Sequence, residues 1–150
     1  MIRKYKPDIV ITNAETDRHP DHGKGSKLVS DACFLSGLRK IETSLDGVSQ
    51  EQWRPKQVLH TIQWNIKEPD VVVDVTGFMD AKMESCLAYK TQFYNENAVD
   101  KEPEIVISGK QFLESIKYRS YDLGRIIGVQ YAEGFTVERY VAVDSVLDLI

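Results

Sequence analysis

The stretch "PDIVITNAETDRHPDHGKGSKLVSDACFLSGL", residues 7–38, contains a strand, a loop and a helix start in immediate succession. Residues 7–13 are β-branched and almost continuously apolar between Pro7 and Asn13, the pattern of a strand buried on both faces of a parallel sheet. Beyond the loop 14–19, Leu28, Val29, Ala32, Cys33, Leu35 and Leu38 recur at helical spacing. They predict a helix from Pro20 to about Leu38 with a broad apolar face packed inside the protein.

Working outward, residues 56–64 (KQVLHTIQW) alternate apolar and polar side chains, and residues 70–76 (DVVVDVT) are β-branched throughout; both read as strands. A second helix is expected over 80–94, with Met83, Leu87, Lys90 and Tyr94 at spacings of three or four. A third is expected over 110–127, entered through Ser108, with Phe112, Leu113, Ile116, Leu123 and Ile127 on its buried side. Residues 41–55 have no steady period and read as a loop or broken helix that carries Trp53 and Arg54 outward. Residues 95–104 read as a polar loop, and the tail as a short strand or two and a terminal helical turn. This order is α/β, organised as one domain over residues 1–150, but its sheet is short of strands.

With 150 residues and 42% apolar content, the chain can bury a real core. The formal charge of −4 is spread along the sequence, with no basic stripe of the kind that phosphate contacts require, so a nucleic-acid partner is not expected. No apolar run approaches the roughly 20 residues of a membrane span, and the first 15 residues lack the apolar region of a signal peptide. A cytoplasmic location is the expectation. Cys33 and Cys86 each stand alone in an apolar, helix-like segment and read as buried thiols.

The chemistry concentrates at residues 15–25, ETDRHPDHGKG. Proline is favoured at the first helical position, which makes His19 the last loop residue and puts Asp21 in the first turn. His19 and His22, three apart, can converge on one point beyond the C-terminal end of strand 7–13, where open α/β sheets place ligands. A catalytic zinc takes three protein ligands and leaves one position for water. His22 is the candidate ligand. His19 would stabilise an oxyanion or protonate a leaving amine, with Asp21 or Asp17 at its other nitrogen, and Arg18 adds a cation suited to an anionic substrate group. The same residues also fit a polar helix entry with no metal. His60 reads as a half-buried structural residue in an alternating strand. Arg54 reads as a solvated loop residue between the rigid Trp53 and Pro55. A phosphoesterase built on His19 and His22 would need further ligands, and His60 is the only other histidine.

The segment "PDIVITNAETDRHPDHGKGSKLVSDACFLSGLRKI" resembles the second signature of the zinc-dependent N-acetylglucosaminyl deacetylases related to the PIG-L enzymes, most closely those of bacillithiol biosynthesis. The likeness continues through "WRPKQVLHTIQ", "PDVVVDVTGFMDAKMESCLAYKTQFY", "EPEIVISGKQFLESIKYRSYDLGRIIGVQYAEGF" and "VDSVLDLI". It implies a Rossmann-like α/β fold with a mostly parallel sheet and flanking helices, and hydrolysis of the acetamide of an N-acetylglucosamine conjugate, N-acetylglucosaminyl malate in this branch. It implies further that His22 binds zinc, that His19 assists the tetrahedral intermediate with Asp21 beside it, and that the protein forms homo-oligomers. Arg18 and Arg54 are the candidates for the substrate's carboxylates.

One part of the family pattern is absent. Its first signature, Ala-His-Pro-Asp-Asp after an N-terminal strand, supplies a His and an Asp to the metal and the Asp that acts as general base. The expectation is a partial deacetylase domain, lacking the N-terminal strand and helix, whose remaining zinc ligands come from that segment and which is inactive alone. The alternative is a truncated remnant with only a structural or oligomerising role.

Overall fold

A computed structural model describes residues 1–93 and 105–149; the loop expected over 95–104 lies outside these residues. The chain divides into two compact units, Met1–Val71 with Gly134–Ile150, and Val72–Glu133.

The first unit contains α1 (Ile2–Tyr5), β1 (Ile9–Thr12), α2 (Pro20–Ser36), a small hairpin of β2 (Ser44–Leu45) and β3 (Val48–Ser49), and β4 (Gln57–Thr61). β1 and β4 run parallel, Ile9 opposite Gln57 and Thr12 opposite His60. The second unit holds β5 (Val71–Asp74), a 3-10 turn (Thr76–Phe78), α3 (Met79–Leu87), α4 (Lys110–Ile127) and the start of β6 (Ala132–Val137). The end of β6 pairs antiparallel with β4, placing Thr136 opposite His60, and the strand order is β1-β4-β6-β5. The architecture is therefore the expected α/β class with a mixed sheet. A final 3-10 turn spans Val146–Leu149, the helical turn foreseen at the tail.

Three expectations for the first unit need correction. β1 is not buried on both faces: Ile9 is 56% and Ile11 59% exposed. β1 is an edge strand, and α2 covers only the other face, through Ser26 and its bond to His60. α2 forms where its spacing predicts, but its apolar face is only partly inward: Cys33 is buried and Val29 and Ala32 are half-buried. Leu28, Phe34 and Leu35 are exposed, and Ser26 and Cys33 are buried. Small side chains let the helix approach the sheet closely, and burial pushes the Cys33 thiol pKa up, with Glu138 nearby adding to the shift. Third, the 41–55 segment contains the β2–β3 hairpin. Asp46 and Gly47 both take positive φ (52° and 78°), which is how an Asp-Gly pair closes a two-residue hairpin. Trp53 turns inward, its indole N–H donating to the Pro7 carbonyl at 2.8 Å.

In the second unit, α4 has the predicted bounds, capped at Gly109; the Ser108 hydroxyl donates to the Ile105 carbonyl. Its buried row is Leu113, Ser120 and Gly124, so Ile127, expected inside, is 42% exposed. Gly124 admits the returning chain: a Cβ there would lie 2.8 Å from backbone atoms of Val129 and Gln130. α3 stops at Leu87, short of the predicted 94, and Cys86 is only partly buried. Among the described residues no helix is long and apolar enough to cross a membrane.

Candidate functional site

From the end of β1, residues 13–19 fold back over the first turns of α2. The approach is close because two helix positions lack side chains. A Cβ on Gly23 would stand 2.9 Å from the Glu15 carbonyl oxygen, and one on Gly25 3.2 Å from the Asn13 amide nitrogen. α2 begins at Pro20 as predicted, with His19 as N-cap in extended conformation. The cap is the imidazole itself: its Nδ1 accepts the Asp21 backbone N–H at 3.2 Å. A neutral His19 ring therefore carries its proton on Nε2.

His22 takes the opposite tautomer. Its Nδ1 lies 2.5 Å from Oδ2 of Asp17, whose other oxygen accepts the Arg18 backbone N–H at 2.6 Å. The Asp17 side chain is 2% exposed and that of His22 41%. A buried carboxylate that accepts on both oxygens leaves Nδ1 as the donor, so the lone pair of His22 sits on Nε2. Carboxylate–histidine pairs of this kind orient metal-binding imidazoles and raise their basicity. The two rings lie with centroids 5.5 Å apart, tilted by 37°.

His19, Asp21, His22 and Arg18 are thus brought together. The Asp21 carboxylate lies 3.8 Å from both His19 Nδ1 and Lys24 Nζ. Arg18 extends over the Trp64 ring, 5.2 Å from its centroid. Arg54 is not part of the cluster. It donates to the Phe34 carbonyl at 2.8 Å and stacks on the Phe34 ring, near the far end of a 17-residue helix, about 25 Å long.

Of the two carboxylates that the sequence offered to His19, Asp21 lies beside it and Asp17 instead holds His22. His60 is likewise corrected from half-buried to buried at 2% exposure, with polar partners on both ring nitrogens. Beside the loop is a polar cleft lined by Ala14, Glu15, Thr16, Gln63, Lys67 and Thr136. Glu15 accepts from Lys67 at 2.5 Å and from Thr136 at 3.3 Å, and the Lys67 hydrogen bond holds its carboxyl below the usual carboxylate range.

Among the described residues no three His, Cys, Asp or Glu side chains come together to hold a metal ion. The donors present fit one corner of a zinc site, His22 Nε2, and not a complete one.

No family model matches the chain. Solved structures do. The conserved protein TT1542 from Thermus thermophilus superposes with a TM-score of 0.74 at 28% identity, covering 95% of this chain and 57% of that one. The N,N'-diacetylchitobiose deacetylase from Pyrococcus horikoshii gives 0.68 at 22% identity, with 99% and 53% covered. GalB, the 4-carboxy-2-hydroxymuconate hydratase from Pseudomonas putida, gives 0.66 at 14%, with 97% and 57% covered. The chain spans little more than half the length of each. A deacetylase and a hydratase on one fold mean that function has to be read from the site. What the comparisons establish is the fold, shared by this chain with all three proteins.

Proposed function

We propose that this chain supplies the histidine half of a zinc-dependent deacetylase site acting on an N-acetylglucosamine conjugate, with N-acetylglucosaminyl malate as the substrate the sequence resemblance implies. The observation that carries the proposal is the Asp17–His22 pair: a surface-reaching imidazole whose Nδ1 is committed to a buried carboxylate and whose Nε2 is left for a ligand. The shared fold with a deacetylase that acts on N-acetylated sugars supports it.

Zinc, when bound, supplies an activated water for attack on the acetamide. The chain's own residues do the rest. His22 presents Nε2 in a fixed orientation. His19, with Nδ1 occupied by the Asp21 N–H, offers the Nε2 proton to the carbonyl oxygen as it gains charge. The N-terminal end of α2 adds a favourable field for that charge. Arg18, steadied by Trp64, is placed to attract a substrate carboxylate. The family resemblance gives the remaining ligands and the general base to the His-Pro-Asp-Asp signature, which these 150 residues do not contain.

The test is acetate and amine release, with zinc supplied, by a fusion that joins the chain to a strand-and-loop segment carrying the His-Pro-Asp-Asp signature described above. His22→Gln is expected to abolish activity with loss of bound zinc. His19→Gln is expected to keep the zinc, leave KM near its starting value and lower kcat by about 10²–10³. Full activity in both variants would overturn the assignment.

A further inference from the structure

The Asp17–His22 pair has two sides, one on the loop 13–19 and one on α2, and a single buried residue lies within hydrogen-bonding distance of both. His60, in β4, places Nδ1 2.8 Å from the Ser26 hydroxyl and 3.2 Å from the Asn13 carbonyl oxygen. Ser26 lies one helical turn beyond His22 on the same face of α2, and Asn13 opens the loop that carries Asp17. On the other side of the ring, Nε2 lies 3.0 Å from Oε1 of Glu138, and the Ser30 hydroxyl, a further turn along α2, donates to the same carboxylate. Ser26 and His60 are each 2% exposed. Neither can exchange its partner for water, so breaking one bond strands a buried polar group. His60 also sits opposite Thr12 and Thr136, the inner strand of its three-strand group.

We propose that His60 is a positioning residue: it ties helix and loop to β4 at a fixed separation, and that separation holds the Asp17–His22 hydrogen bond and with it the His22 tautomer. Gly23 and Gly25 are consistent with this, since the helix–loop approach that they permit has no slack. The inference rests on the reading of His22 as a ligand-bearing residue, but concerns only what orients its ring.

The experiment is long-range ¹⁵N–¹H spectroscopy of the histidine rings in the 150-residue chain, with His22 assigned by His22→Gln. The native chain is expected to show His22 as the Nδ1–H tautomer with a low-field proton shared with Asp17. Ser26→Ala and His60→Gln should each lose that proton resonance and give mixed tautomers. Ala32→Gly, which weakens the same helix through its lower helix propensity and removes no hydrogen-bonding group, should lower the melting temperature and leave the His22 signature intact. If His60→Gln fails to fold, Ser26→Ala carries the test alone. An unchanged His22 signature in Ser26→Ala, or its loss in Ala32→Gly as well, overturns the proposal. The spectra require no turnover, so a failed amine-release assay with a responsive His22 signature would count against the deacetylase reading and leave the positioning role standing.

Discussion

At the scale of the residue, Asp17 and Glu15 show how two carboxylates in one loop acquire different work. Asp17 is buried and bridges Arg18 N–H and His22. Glu15 is half exposed and paired with Lys67, and that hydrogen bond lowers its pKa. A carboxyl whose folded pKa lies below its unfolded one adds stability above the unfolded value and loses it as pH falls through the folded one. Glu15→Gln is therefore expected to be less stable than the native chain in urea denaturation at about pH 7, with the difference closing toward about pH 3. A constant difference across that range would mean that packing, and not charge, sets the contribution of Glu15. The helix start between the two histidines was legible in sequence because Pro20 fixes it. The pairing of Asp17 was not, because three carboxylates (Glu15, Asp17 and Asp21) fall within four residues of His19 and only the path of the loop decides which is buried.

At the scale of the element, position was more readable than orientation. α4 begins and ends where its spacing predicts, and α2 begins where it does. The inward face of α2 was misread in part, since beside Cys33 it carries Ser26 and Ser30, whose partners are His60 of β4 and Glu138 and leave no apolar periodicity to find. The Asp46-Gly47 pair was a local hairpin signal that went unread between two short, weakly patterned strands. Close backbone approach was equally silent. Gly124→Ala puts a methyl group against three backbone atoms of residues 129 and 130, and is expected to cost about 1–3 kcal/mol despite the gain in helix propensity. Gly77→Ala, which meets nothing within 4 Å, should change stability by no more than about 0.5 kcal/mol. Chemical denaturation of the two variants compares them directly.

At the scale of the whole molecule, the α/β class follows from strand–helix order, and the main sheet has four strands with β1, at one edge, exposed on one face. His22 is oriented by Asp17, no three-ligand metal group is found among the described residues, and the chain spans little more than half the length of the solved proteins that share the fold. The central claim is that this chain holds one part of a zinc deacetylase site and not the whole. The most direct measurement is zinc content together with amine release from an N-acetylglucosamine conjugate, made on the 150-residue chain alone. The account predicts far less than one tightly held zinc per chain and no turnover; stoichiometric zinc with sustained amine release would contradict it.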